Sequence, residues 1–193
     1  MPTPDRTSLD DIVRAGRAIL EADGLPKLTM QAVAERVGVR APSLYKRVKN
    51  RDDLIRLIVA STADELSDRL NAVETAAHHT IEVQPDARAT LIALAHALRG
   101  FAHQYPAAFA LIFAAVPAST PLNRQSLERS IDPVMRVTAE LAGPENALEA
   151  ARTVTAWANG FISMELAGAF QLGGDVDSAF DFGITHLADA LTR

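Results

Sequence analysis

The chain has no cysteine among its 193 residues, which excludes disulfide cross-links and thiolate metal sites and fits an expectation of a reducing, cytoplasmic location. It also lacks a long hydrophobic run. The longest, Ala107 to Val116, is about half the ~20 residues that a membrane-spanning helix needs, so it reads as buried core and no membrane association is expected. The opening stretch MPTPDRTSLDDIV puts acidic side chains where a secretion signal needs a basic stretch followed by an apolar one, so secretion is not expected. Gly-x-Ser-x-Gly, a phosphate-binding glycine loop and His-Glu-x-x-His are all missing. Without such signatures no catalytic residue and no cofactor is assigned, and an enzyme is not expected. No segment alternates like a strand, and there is no internal repeat.

What the chain does have is charge unevenly spread. Its net charge is −5, yet from Arg36 to Arg51 it carries Arg36, Arg40, Lys46, Arg47, Lys49 and Arg51 with no Asp or Glu. A basic segment on an acidic body suggests a polyanion-binding end joined to something that need not bind polyanions. A hydrophobic content of 48% supplies ample core for one domain, or for a small domain fused to a larger one.

The periodicity is helical throughout. Leu9, Ile12, Val13, Ile19 and Leu20 recur at helix spacing behind Ser8-x-x-Asp11, a capping box with Asp in the usual Glu position. That predicts a helix from Ser8 to Ala22, stopped at Asp23-Gly24. A short helix follows from Thr29 to a stop at Gly38, and another starts with Pro42 in its first turn. Asn50-x-x-Asp53 caps a long helix whose inward stripe is Leu54, Ile58, Leu66, Leu70 and Val73, ending near Glu74. Further helices are expected from Pro85 or Asp86 to Gln104, Pro106 to Ala115, Ser126 to Ala142, Pro144 to Gln171 and Val176 to Thr192. The expected fold is therefore all-α, with about nine helices.

Two short helices about a tight turn at Gly38 form the pattern of a helix-turn-helix, which lays its second helix in the major groove. If Leu44 and Val48 face inward, Arg40, Ala41, Ser43, Lys46 and Arg47 face outward. Arg can bridge guanine, Ser can bond a base or phosphate, and Ala41 or Pro42 can press on a thymine methyl. Lys49 and Arg51 lie past the helix, where their charge could meet phosphates.

The run LTMQAVAERVGVRAPSLYKRVKNRDDLI, Leu28 to Ile55, resembles the DNA-binding region of the TetR family of transcriptional regulators, and the likeness covers roughly the first 70 residues. The resemblance implies an all-helical homodimer. Residues 1–50 would form a helix-turn-helix DNA-binding domain, and residues 51–193 a helical effector-binding and dimerisation domain. It further implies that Gln31, Arg40, Ala41, Pro42 and Ser43 approach bases while Tyr45 and Lys49 hold phosphates; Lys46 and Arg47 stand at variable positions of the pattern. A second role stays open for three residues: Tyr45 as a core or half-buried aromatic packing the three-helix unit, Lys49 as an ordinary surface lysine, and Thr29 as a helix cap rather than a phosphate contact.

In the C-terminal half, Trp157-Ala158-Asn159-Gly160 resembles the Trp-His-Gly signature of one TetR subgroup, with Asn159 in place of the histidine. Ala156, Gly160, Ala167 and Gly168 are small residues that would admit a close neighbour, either a second subunit or another helix of the same one. A small-molecule effector, unidentified from sequence, would sit among the middle helices. Phe101, His103, Tyr105, Phe109 and Phe113, with Trp157 and Phe161, are the candidate lining residues, or else plain core. Metal binding is not expected: His96 and His103 are seven residues and about 10.5 Å apart along a helix, and His78 with Glu82 reads as exposed linker.

The resulting expectation is a ligand-responsive regulator, most often a repressor in this family, bound as a dimer to a near-palindromic DNA operator. The other reading is a small-molecule-binding helical protein or enzyme with an unused helix-turn-helix module.

Overall fold

The computed structural model describes residues 7–78, 86–113 and 124–192, with the backbone alone at 78 and 124–130. Its described residues form nine α-helices and one 3₁₀ turn: α1 (Leu9–Asp23), the 3₁₀ turn (Leu25–Lys27), α2 (Met30–Arg36), α3 (Ala41–Leu44), α4 (Arg51–His78), α5 (Ala87–Gln104), α6 (Pro106–Phe113), α7 (Arg124–Ala142), α8 (Ala147–Leu166) and α9 (Val176–Leu191). The chain divides into two compact units. One holds Met1–Ala63 with Tyr105–Arg124, the other Asp64–Gln104 with Gln125–Arg193.

In the first unit the local signals act as the sequence leads one to expect. Ser8 Oγ accepts the Asp11 N–H at 3.0 Å while Asp11 Oδ2 accepts the Ser8 N–H at 3.1 Å, closing a reciprocal capping box. Gly24, at φ 78°, ends α1 in a conformation that costs glycine little. The inner face of α1 buries Ile12, Val13, Ile19 and Leu20 against Leu28, Val33, Leu44, Val48, Leu54 and Ile58, each full burial contributing about 1.5–3 kcal/mol. Gly16 lets α1 come close to α4, since a Cβ there would stand 2.8 Å from Ile58 Cδ1.

Helix α6 docks on the same unit. The Glu21 carboxylate accepts the N–H groups of Ala107 and Ala108 at 3.0 and 2.9 Å, so a side chain of α1 caps the positive end of α6. One turn earlier on α1, the Arg17 guanidinium lies 4.3 Å from the centre of the Tyr105 ring.

The second unit packs the rest of α4 with α5, α7, α8 and α9 around Leu66, Leu70, Leu91, Leu94, Phe101, Val137, Val154, Ile162, Phe180 and Ile184, all buried. Its α8 and α9 meet where Trp157 faces Gly183, and Phe180 completes the contact with ring centres 5.2 Å from both Trp157 and Phe161. Arg99 of α5 donates to Glu165 at the end of α8 through Nε at 2.9 Å, and to Asp177 at the start of α9 through Nη2 at 2.6 Å. Helix α8 stops at Leu166, five residues before the expected Gln171. The cause is Gly168, at φ 64°: the Ala169 N–H reaches back to the Met164 carbonyl at 2.9 Å, a left-handed stop that the later glycine pair had masked in the sequence.

Candidate nucleic-acid interface

The basic stretch is built on very little helix. Thr29 Oγ1 accepts the Ala32 N–H at 3.1 Å, so the cap role of Thr29 is present in the structure, starting α2. Gly38, at φ 73°, turns the chain, and α3 then runs for only four residues, with Pro42 in its first turn. A helix this short has no stability of its own. It is held by Leu44 and Val48, exposed 1% and 0%, which pack into the α1–α2–α4 core as their spacing predicted.

With those two side chains inward, the opposite surface is polar and basic. Arg40, Pro42, Ser43, Tyr45, Lys46, Arg47 and Lys49 are exposed, Ala41 is half-buried, and Gln31 lies exposed on α2. Tyr45 is 54% exposed, so it is not a core aromatic, while the half-buried form of its second reading stays open. Gln31 is not idle: its Nε2 donates to Glu35 Oε1 at 2.7 Å, which draws its amide along α2. The Lys49 N–H donates to Asp53 Oδ2 at 2.8 Å, and the Asp53 N–H to Asn50 Oδ1 at 2.8 Å. The start of α4 is therefore capped as expected from Asn50-x-x-Asp53, and the backbone that carries Lys49 is fixed.

Arg51 is not a spare cation for phosphate. Its Nε and Nη2 donate to the carbonyls of Leu28 and Leu25, both at 2.7 Å, so the guanidinium ties the start of α4 to the segment before α2. Sequence reasoning missed this because Leu28 and Leu25 are 23 and 26 residues away in the chain.

The residues singled out for an effector fall in both units. Tyr105, Phe109 and Phe113 belong to the first, Phe101, His103, Trp157 and Phe161 to the second. Phe101 and Phe109 are fully buried and Phe113 is 40% exposed. His103 points its Nε2 to Glu165 Oε1 at 3.1 Å. The second unit also contains a cavity of about 30 Å³ lined by Leu70, Leu91, Leu94, Ala95, Leu98, Val134, Val154, Thr155 and Ala158. None of the seven aromatic and histidine candidates lines it; the readable signal was the leucine spacing on α5, which also reads as ordinary core.

Among the described residues no group of three His, Asp or Glu side chains is placed to hold a metal ion. His96 instead meets Asp181 at 3.0 Å, and the His78–Glu82 pair lies outside the described residues. No described helix is long and apolar enough to cross a membrane.

A three-helix unit that presents an exposed, basic, one-turn helix after a glycine turn defines a helix-turn-helix DNA-binding protein. Residues 5–58 match the family described as bacterial regulatory proteins, tetR family, and residues 91–187 match the tetracyclin repressor-like C-terminal domain. The chain belongs to the TetR family: it is a DNA-binding regulatory protein of the ligand-responsive kind, not an enzyme.

Over 98% of its length it is 26% identical to the uncharacterized HTH-type transcriptional regulator Rv0681 of Mycobacterium tuberculosis, of which the match covers 84%. Its fold matches that of a protein of unknown function from Rhodococcus sp. RHA1 with a TM-score of 0.83, at 22% identity and over 100% of both chains. A variant of TetR from Acinetobacter baumannii AYE, solved in complex with minocycline, shares the fold at a TM-score of 0.68 and 22% identity, over 95% of this chain and 96% of that one.

Proposed function

We propose that the protein is a repressor that binds a near-palindromic operator as a homodimer in the cytoplasm and is released by a small-molecule effector. The observation that carries this reading is the division of labour around α3, with Leu44 and Val48 buried and Arg40, Ser43, Lys46 and Lys49 exposed on the other side. In this reading Gln31, Arg40, Ala41, Pro42 and Ser43 approach bases. Tyr45 and Lys49 hold phosphates, while Lys46 and Arg47 add charge at the groove. Residues 1–50 act as the DNA-binding domain and residues 51–193 as the effector and dimer domain.

Exposed apolar side chains on α8 and α9 favour a self-association face there: Leu148, Met164 and Phe182 are 40%, 49% and 65% exposed. The Trp157–Gly160 run, with Asn159 in place of histidine, supports placement in the Trp-His-Gly subgroup. For the effector, the cavity beside Ala158 is the seat. It holds about 30 Å³, whereas pockets for small ligands run to about 300–1,000 Å³, so binding must part the helices around it. An effector that favours the widened state shifts the population away from the DNA-fitting one.

Selection from a random duplex DNA library with the purified protein tests this. An enriched palindrome whose half-site centres lie about 34–36 Å apart, or a multiple of that, is expected of a dimeric reader. No enrichment from a folded dimer would refute it.

A further inference from the structure

The first unit has a hollow of its own, about 410 Å³ in volume, between α1 and the end of α2. Asp11, Arg14, Ala15 and Ala18 line it from α1, at spacings that put them on one helix face. Arg36 and Val37 line it from the end of α2, and Thr7, just before α1, completes the wall. Small-ligand sites commonly hold about 300–1,000 Å³, so the hollow is large enough for one.

Two guanidiniums and one carboxylate give this wall a net charge of +1. The carboxylate is already engaged: Asp11 accepts the Ser8 hydroxyl at 2.7 Å and Arg14 Nη1 at 3.1 Å. Arg14 keeps further N–H donors. Arg36 is exposed and, among the described residues, pairs with no carboxylate. Thr7 is different in kind. It is only 8% exposed, and its Oγ1 is buried without a hydrogen-bond partner, which is costly enough to need a reason. Rotation about χ1 moves a threonine oxygen among its staggered positions, so the hydroxyl of this wall residue can turn to a guest in the hollow.

We propose that the hollow binds a small organic carboxylate, with Arg36 and Arg14 meeting its charge, Thr7 donating to a carboxylate oxygen, and its apolar body on Ala15, Ala18 and Val37. A DNA phosphate suits the place less. The Thr7 hydroxyl lies below the surface that a duplex touches, and a phosphodiester has no use for three aliphatic walls. The site is separate from the cavity assigned to the effector. Val37 directly precedes the Gly38 turn, at φ 73°, which leads the chain into α3, so a guest there acts on the DNA-reading helix from within its own unit.

Benzoate and benzyl alcohol, alike in shape but not in charge, test this on the full chain at neutral pH. Binding is read from the backbone amide NMR signals of Thr7, Arg36 and Val37 and from the melting temperature, without DNA, and so independently of the repressor reading. Benzoate is expected to shift those signals saturably and to raise the melting temperature, with benzyl alcohol at least about tenfold weaker because it forgoes the charge-assisted bonds. Arg36→Gln should remove that preference. Thr7→Val should weaken benzoate about tenfold, the scale of one lost hydrogen bond, yet melt no lower than the parent when ligand-free, because it removes an unpaired buried hydroxyl. Benzoate should also change operator affinity in the parent and not in Arg36→Gln.

No saturable shift at these amides, equal affinity for benzyl alcohol, or benzoate binding unchanged in both variants would each overturn the site. A flatter salt dependence of operator binding in Arg36→Gln, with no benzoate bound by the parent, would give the arginine to the DNA backbone instead. Benzoate bound as expected with operator affinity unchanged would keep the site and sink its action on α3.

Discussion

Trp157 and Gly183 are in such close contact that a Cβ added to the glycine would lie 2.2 Å from Trp157 Cζ2. The indole has little room to retreat, because Phe161 and Phe180 stand with ring centres 5.7 and 5.2 Å from its own. In a helix Ala is ordinarily better than Gly by about 1 kcal/mol. Here overpacking, typically about 1–3 kcal/mol, opposes that gain at a separation no real Cβ tolerates. Gly183→Ala is therefore expected to lower stability in chemical denaturation, with a change in Trp157 emission in the folded state. A melting point at or above the parent's would contradict the contact.

Arg51 and Lys49, two residues apart, should behave as different kinds of residue. Arg51→Ala strips the Leu25 and Leu28 carbonyls of charge-assisted bonds worth about 1.5–3 kcal/mol, so its effect should appear in unfolding curves. Lys49→Ala should leave stability nearly unchanged and flatten the salt dependence of operator binding by about one unit of slope. Salt titrations of both variants against the selected operator decide it; a Lys49 slope equal to the parent's would remove its phosphate role.

Arg40→Ala is expected to cost about 1–3 kcal/mol of binding at particular base positions rather than across all sequences. Repeating the library selection with the variant reads this out directly. A motif of unchanged information content would show that Arg40 does not read a base.

The ion-pair cluster of the second unit gives the protein an acid limb. The hydrogen bond from Arg99 holds the Glu165 carboxyl below its ordinary value, with a further contribution from His103. A lowered carboxyl pKa stabilises the folded state fully above the ordinary value of 4.5, and that stabilisation disappears as the pH falls below it through the lowered value. Glu165→Gln should thus reduce stability by about 1–3 kcal/mol at neutral pH, and its melting temperature should converge with the parent's in acid. A gap that stays constant down the acid range would show that the pairing contributes nothing.

The sequence carried the parts of this fold that are decided within a few residues. Ser8 with Asp11, Thr29 and Asn50 with Asp53 cap helices because their side chains reach backbone groups three or four positions away. The four-residue spacing of Leu44 and Val48 alone placed the basic face. What escaped is long-range. Glu21 caps a helix 86 residues on, and Arg51 reaches back to Leu28. Both charged side chains look like solvent-facing residues until the chain is folded. The cavity was hidden for another reason: leucines that line a void and leucines that fill a core have the same spacing. The rarer aromatics, which stand out in the sequence, fall in different units.

The single-turn α3 also sets how this protein can change. Its shape is imposed by Leu44 and Val48, while Arg40, Ser43, Lys46 and Lys49 make no contribution to the buried core. Substitutions on the outward set can accumulate without eroding the scaffold beneath. Target preference can thus be rewritten one side chain at a time, by selection or by an engineer, with the melting temperature as an almost independent variable.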